Sequence, residues 1–378
     1  MKNKSLGIYV HIPFCAKKCN YCDFCSFPSL SPAIMEDYTE KLIDKFREYS
    51  PLASGYSVDT LYFGGGTPTL LPTRLFGRLM DALGESFDIS DDAEISCECN
   101  PASIGSEGLG ELRRMGINRL SIGLQSVHEE ELKLLGRIHS FEDFKRTFCH
   151  GRDAGFDNIS ADLMYGLPSQ TKESFMASVR ELARLAPEHI SAYGLKIEEG
   201  TPFHRMAPTL SFPDEDEEFT MYESCASLLR ESGYRRYEIS NFAREGFESR
   251  HNLRYWNMEE YIGFGVAAHS YFGGERFGNS RDMKAFLEGE DIVCSHSAVT
   301  REEWLAEYVM LRLRLADGLR REDFCRLFGK ELDSAFPQLA PLTKEGFFDD
   351  DGERVAFTDK GFFVSNYILS DLLDFPSE

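Results

Sequence analysis

The 378-residue chain carries 63 acidic side chains against 41 Lys and Arg, a formal charge of -22 at pH 7. That balance argues against nucleic acid and anionic membrane surfaces as partners, since both attract basic patches, and it leaves room only for a local basic pocket. At this length, with 42% hydrophobic residues, the chain can bury a large core without staples, so its ten cysteines need not pair as disulfides.

The N-terminus has two lysines and then a few apolar residues, too short a run and without the small-residue cleavage site of a secretory leader. No stretch is long enough to span a bilayer, and the expectation is a cytoplasmic protein with reduced thiols. The first apolar run leads directly into Cys15, Cys19 and Cys22 at the spacing C-x3-C-x2-C, with Tyr21 in the last gap. Three clustered thiols suit a cuboidal four-iron cluster that leaves one iron open to bind and activate a ligand. A closed zinc site is the alternative, with Cys25 as its fourth thiol. Without a metal or redox role, Cys25 is a spare small hydrophobe.

Short β-rich runs then alternate with helical patterns, the rhythm of βα units and a parallel sheet. Strands are predicted at Gly7–Ile12, Thr60–Phe63, Glu94–Glu98, Arg119–Gly123, Ile159–Met164 and His189–Leu195. Helices are predicted at Ala33–Glu48, Pro72–Phe87, Ile104–Met115, Glu129–Leu135, Phe141–Ala154 and Thr171–Leu185. Six repeats fall two short of a closed eightfold barrel, so the α/β fold expected is an open, partial (β/α)6 barrel with ligand groups at the carboxyl ends of its strands.

The motifs sit at those ends. Gly64-Gly65-Gly66-Thr67-Pro68 follows the second strand, where glycines allow close backbone approach and expose amide donors. Taken alone this run is equally well a tight turn. Glu98 ends an otherwise apolar strand, where a carboxylate needs a partner or a ligand, while Cys97 and Cys99 on the opposite face read as packing residues. Gln125, Arg137 and Asp162 each lie at or just beyond an element end; one would be a structural hydrogen-bonder, but three on one rim suggest a site.

Beyond the repeats, Asp214 to Glu218 read as the acidic first turn of a helix running to Glu231 and stopped by Gly233. The aromatic, histidine and glycine-rich stretch that follows, with HNLRYW at its centre, fits a lid over a flat apolar ligand. A capping box at Thr300 starts a C-terminal set of helices with a hairpin at Asp349–Gly352, the outline of a winged helix whose acidic tip argues against DNA. The expected division is 1–232 as barrel, 233–299 as linking lid, and 300–378 as a packing or docking appendage.

With Tyr21 in its last gap, the cysteine motif resembles the signature of the radical S-adenosylmethionine (radical-SAM) superfamily. Over nearly the whole chain the resemblance is to the oxygen-independent coproporphyrinogen III oxidase-like proteins. It implies Cys15, Cys19 and Cys22 as ligands of a [4Fe-4S] cluster. It further implies Tyr9, Tyr21, Gly65, Gly66, Thr67, Glu98, Gln125, Arg137 and Asp162 as contacts to cluster-bound SAM. HNLRYW matches the H-N-x-x-Y-W element of a haem-chaperone branch, in which His251 is the candidate haem ligand. The oxidase branch typically has a longer N-terminal extension and the pattern C-x3-C-x2-C-x-C. Here fourteen residues precede Cys15, and Phe24 occupies the position of the fourth cysteine. The resemblance therefore favours a haem chaperone that hands haem to apo-haemoproteins, and it allows a homodimer. The alternatives are radical decarboxylation of coproporphyrinogen propionates and, in another class, a zinc-binding scaffold on a degenerate barrel.

Overall fold

Six parallel strands form the centre of the molecule: β1 (Lys4–Ile12), β2 (Tyr56–Gly65), β3 (Ile89–Cys99), β4 (Arg119–Gln125), β5 (Ile159–Tyr165) and β6 (His189–Gly194). They pair in chain order, as in a barrel that does not close on itself. The computed structural model describes residues 4–28 and 31–373. Helices α1 (Pro32–Tyr49), α2 (Thr73–Ser86), α3 (Ser106–Arg114), α4 (Glu129–Leu135), α5 (Phe141–Asp153) and α6 (Lys172–Leu185) make the crossovers. All twelve elements lie where the sequence places them, several strands extending further at one or both ends. Helix starts follow local chemistry: Ser140 and Thr171 head capping boxes, and Gly136 takes the left-handed conformation that ends α4.

The strands alternate sharply. Ile8, Val10, Leu61, Phe63, Leu120, Ile122, Ala161, Leu163 and Ile190 are buried in the main hydrophobic core, on the face that period-two alternation directs outward under the helices. The opposite positions, among them Tyr9, His11, Thr60, Tyr62, Ser96, Glu98, Arg119, Ser121, Ser160, Asp162 and His189, form a polar interior.

Residues 233–299 correct the expectation of a lid. Arg235–Arg236 and Asn241–Ala243 add antiparallel strands beyond β6. Tyr261–Phe264 pairs parallel to β1 on the opposite edge and is followed there by His269–Phe272, Glu275–Asn279 and Val293–Ala298. The stretch thus completes a twelve-stranded sheet on both sides. Aromatics and glycines in a lid and in a buried edge look alike from sequence. Between these additions, the short helix Arg250–Trp256 crosses the amino-terminal side of the strands. Its Arg254 is almost completely buried, donating to Thr60 Oγ1, Ser5 Oγ and the Glu260 carbonyl and pairing with Asp59. Gly7 is side-chain-free because a Cβ there would collide with the Arg254 stem.

The C-terminal helices and the three-stranded sheet Leu319–Arg320, Arg354–Phe357, Phe348–Asp350 match the winged-helix outline. Leu332–Ala335 and Leu339–Lys344 are separate short helices, parted where Pro337 cannot donate, and the final helical run is divided into Asp359–Phe363 and Ser365–Leu373. Several contacts tie this region to the sheet, among them a pair of Arg276 with Glu307. Ile239 N–H donates to the Arg314 carbonyl beside a Glu238–Leu315 bridge, and the Arg236 guanidinium stacks on Tyr222, Phe242 and Phe362 while pairing with Asp359 at 3.2 Å.

Replacing Arg254 by Met keeps the stem but takes the buried guanidinium from Asp59, which retains the Ser5 hydroxyl, and removes one donor each from Ser5 and Thr60. Loss of one partner from a buried charge network costs roughly 3 kcal/mol. Urea denaturation of Arg254→Met should show that loss; less than about 1 kcal/mol would mean that the crossing helix is held by packing alone.

Candidate functional site

A cavity of about 360 Å³ opens at the carboxyl ends of the strands. Cys15, Cys19 and Cys22 line one wall, on the loop that leaves β1, and all three thiols are free of disulfides. Among the described residues no three His, Cys, Asp or Glu side chains are grouped tightly enough for a single metal ion. The three thiols line the same cavity, the number of ligands that would leave one iron of a cuboidal cluster open. Burial raises the Cys15 thiol and pushes that of Cys22 up to about 11, so their thiolates need the compensating charge of a metal.

The glycine loop forms the next wall. Gly65 sits at φ +117°, and a Cβ there would lie 2.7 Å from the His11 ring; a Cβ on Gly66 would lie 2.6 Å from the Phe14 carbonyl and 3.0 Å from Cys15 Sγ. No side chain can be added without pushing the loop off the cysteine segment. The amides are not the exposed donors that the sequence suggests: Gly65 N–H donates to Glu98 Oε2 at 3.0 Å, and Gly66 N–H to the Ile12 carbonyl at 2.9 Å. With both amides engaged, the loop lines the cavity through Gly65, Gly66 and Thr67 without offering those N–H groups to a ligand.

Across the cavity, Glu98 also accepts from Tyr62 OH at 3.0 Å. Burial, with Asp162 adding repulsion and Tyr62 opposing, lifts its carboxyl to about 7. Burial likewise lifts Asp162 to about 6, moderated by the Ser191 and Ser121 hydroxyls and by Arg119 and Arg137. Two buried carboxyls poised near neutrality mark a site for a cationic or hydroxyl-rich ligand. Arg137 donates to Asn100 Oδ1 at 2.8 Å and to the Gly123 carbonyl at 2.5 Å, and lies 3.7 Å from Cys19 Sγ; its buried Nε has no partner. An unsatisfied guanidinium nitrogen beside the cavity is a waiting donor for a carboxylate. Gln125 holds φ +75° at a register shift between β4 and β5, a strained position for a non-glycine residue, and accepts from Tyr193 OH at 2.9 Å.

The cavity therefore brings together Cys15, Cys19, Cys22, Tyr21, Gly65, Gly66, Thr67, Glu98, Gln125, Arg137 and Asp162. Tyr9 is not in its lining: the phenol lies one layer deeper and bonds His11 Nδ1 at 3.0 Å. Cys25 is buried outside the lining, its carbonyl bonded to His11 Nε2 at 2.8 Å, in keeping with the packing alternative. Sequence reasoning missed three supports. Asn100 joins Thr67 at 2.7 Å to Arg137, Tyr193 orients Gln125, and His11 ties β1 to the cysteine loop. Each stood inside or beside a quoted motif, and the strand alternation places His11 and Tyr193 on the inner face.

His251, like Tyr9, stands apart from the lining. It lies on the crossing helix, 1% exposed and stacked on Tyr62 with ring centroids 5.2 Å apart. Nδ1 faces Thr60 Oγ1 at 2.9 Å and Nε2 faces Tyr255 OH at 2.8 Å. Burial, reinforced by Arg254 and Arg119, drops its pKa to about 3, so the ring is neutral. A haem ligand needs a free ring nitrogen, and both are occupied. In this conformation His251 is a wall of the polar interior, one layer beneath the cavity, and to ligate haem its ring would have to leave Thr60 or Tyr255.

Residues 9–182 match the family model of the radical SAM superfamily, and residues 299–364 match the HemN C-terminal domain. The heme chaperone HemW of Bacillus subtilis is 35% identical over 97% of this chain and 98% of its own length. That of Escherichia coli is 34% identical over 98% of each. The solved structure of coproporphyrinogen III oxidase (HemN) from Escherichia coli, a radical SAM enzyme, superposes with a TM-score of 0.86 at 28% identity, covering 99% of this chain and 91% of that one. With a relative above 30% identity matched across nearly its whole length, and with the cysteine and glycine motifs walling one cavity, the chain belongs to the HemW family of radical SAM proteins.

Proposed function

We propose that this chain is a haem chaperone, binding haem and passing it to apo-haemoproteins, with a [4Fe-4S] cluster on Cys15, Cys19 and Cys22 and SAM in the cavity beside them. The observation that carries the reading is the cavity shared by three free cysteines and the glycine loop, in a chain matched end to end by HemW proteins. The cavity suits the two groups: the glycine cradle admits no Cβ, three free thiols line one wall, and Arg137 Nε lacks a partner. When bound, the cluster would supply an open iron for the amino and carboxylate groups of SAM and an electron for its sulfonium. The chain's own residues bind and orient. Gly65, Gly66 and Thr67 line the wall, Arg137 offers a guanidinium donor, and Glu98 and Asp162 offer carboxyls whose charge responds to the ligand. Tyr193 holds Gln125 at the rim.

The oxidase reading asks the same rim to hold a tetracarboxylate porphyrinogen. Identity of 28% to that enzyme against 34–35% to the heme chaperones, and Phe24 where a fourth cysteine would stand, favour the chaperone. The C-terminal region, residues 300–378, serves in this reading as a packing and docking appendage.

Anaerobic haem titration of reconstituted protein, followed by visible absorption and run beside a coproporphyrinogen III turnover assay, tests the function. Stoichiometric binding without carbon dioxide release is expected; SAM-dependent decarboxylation would restore the oxidase. His251→Ala should weaken haem binding no more than it weakens the fold, as judged by parallel denaturation. A specific loss of an iron–imidazole absorption band in a stably folded variant would show that the ring leaves its pocket to reach haem.

SAM binding supplies a second test, in pH. Glu98 is protonated below about 7, and a ligand bearing sulfonium and ammonium charge prefers the carboxylate. Affinity measured by calorimetry should rise as pH increases through 7 and level off above, and Glu98→Gln should lower and flatten that profile. In ligand-free protein the sign is opposite. A carboxyl raised from 4.5 to about 7 adds stability that is complete below pH 4.5 and lost as pH rises to 7, roughly 3 kcal/mol in all.

A further inference from the structure

Two arginines are buried whole among the described residues, and the fold treats them in opposite ways. Arg254 pairs with Asp59 and donates to Ser5, Thr60 and the Glu260 carbonyl. Arg119 is just as buried, 2% exposed, yet no carboxylate of the described residues lies within ion-pair distance and its Nε has no hydrogen-bond partner. A guanidinium withdrawn from water without a direct partner is costly, so its charge has to be answered through space.

β4 puts that charge under the cavity. Arg119 is in register with Ser96 on β3 and faces the polar interior, two positions before Ser121 on the same side of the strand. Ser121 is in register with Glu98 and Ser160, and Gly123 with Asp162. Since Ser121, Glu98 and Asp162 line the cavity, Arg119 lies in the layer beneath its floor. From there the guanidinium acts on Asp162 above it and on Tyr62, Tyr237, His189 and His251 around it.

Most of these groups cannot balance it. His189 faces Ser160 Oγ at 2.7 Å and Tyr237 OH at 2.8 Å, His251 is held by Thr60 and Tyr255, and burial keeps both rings neutral. Glu94 receives the Arg250 and His251 amides, and Glu98 receives Tyr62 and Gly65. Asp162 is the carboxyl left to answer the charge, with the Ser121 and Ser191 hydroxyls beside it. Arg137 adds a second cation from the rim, and Glu98, Tyr62, Tyr21 and Tyr193 are the other titratable groups that face Asp162. A direct salt bridge would take the carboxylate oxygens away from a ligand. A cation one layer down favours the charge and leaves the oxygens free.

We propose that Arg119 is a positioning residue of the cavity, an unpaired interior cation that holds Asp162 as its carboxylate and so as an acceptor for the hydroxyl groups of the bound ligand. It acts through Asp162 and touches no ligand itself. This rests on the reading of the cavity as the SAM site, since the ribose of SAM carries hydroxyls that an ionised carboxyl accepts and a protonated one competes with as a donor.

Two measurements test it. Carbon-13 labelling of the aspartate carboxyl groups lets Asp162 be titrated by NMR in protein without cluster or SAM, with Asp162→Asn assigning the signal. The wild-type carboxyl should titrate at about 6. Arg119→Met should raise that midpoint by about one pH unit, and Arg119→Lys should return it most of the way. In reconstituted protein, calorimetry should show Arg119→Met binding SAM about threefold more weakly at about pH 6.5 and as well as wild type at about pH 8.5, where both carboxyls are ionised. Where Arg119→Met fails to fold by circular dichroism, Arg119→Gln keeps a polar head without the charge and reads the same midpoint. An unmoved Asp162 midpoint in a folded uncharged variant would overturn the proposal, as would a loss of SAM affinity by one factor at every pH, the mark of a purely structural role. Failure of SAM to bind a wild type that holds its iron and sulfide would instead defeat the reading of the cavity and the ligand part of the proposal, while the NMR midpoint still decides whether Arg119 holds the carboxylate.

Discussion

The hydrogen bond from the Gly65 amide to the buried carboxylate of Glu98 is the contact on which the site depends. It joins two neighbouring strands at their carboxyl ends and holds Gly65, at its positive φ, on the wall of the cavity. The same carboxylate receives Tyr62, which stacks on His251, so the chain of contact runs from the rim to the crossing helix. A missing Cβ at Gly65 and at Gly66 lets that loop press on His11 and on the backbone of Phe14, and this sets where the cysteine segment can lie. Position here is a matter of sterics as much as of bonding, since a single methyl group would require several elements to shift.

The barrel was legible because its repeats are local. Each strand announces itself by length and flanking turns, and two of the helices by capping boxes at Ser140 and Thr171. The inward polar residues were harder to read. Tyr9, Tyr62, Ser96 and Ser121 alternate with apolar neighbours, a half-polar pattern that usually means a strand facing water, whereas here it lines an enclosed interior. The cysteine, glycine and Glu98 motifs were legible for a related reason: each violates the local expectation for a strand end, and such violations gather at functional sites.

Residues 233–299 were not legible, and the reason is distance along the chain. Tyr261 to Phe264 pairs with Gly7 to Val10, and nothing within a window of twenty residues reports such a partner. A run of aromatics and glycines gives the same signal in a lid and in a sheet edge. His251 suffered likewise: its burial comes from Thr60, Tyr62 and Glu94, all more than 150 positions earlier. The motif named a residue worth attention, but whether its imidazole meets a ligand or a hydroxyl was decided by tertiary packing.

The wide separation of these partners bears on how the protein is made. β1 and the cysteine loop leave the ribosome first, yet the parallel neighbour of β1 lies at Tyr261–Phe264, and Asp23 and Cys25 are anchored to Arg281. Until some three-quarters of the chain has been synthesised, the segment bearing Cys15, Cys19 and Cys22 lacks one side of its frame. Strands that pair across such intervals form late, because the intervening loop must first be closed. Iron and sulfide would then meet a finished cradle only after translation has passed residue 281, which makes cluster insertion a late step of maturation and leaves the nascent thiols dependent on a reducing environment until then.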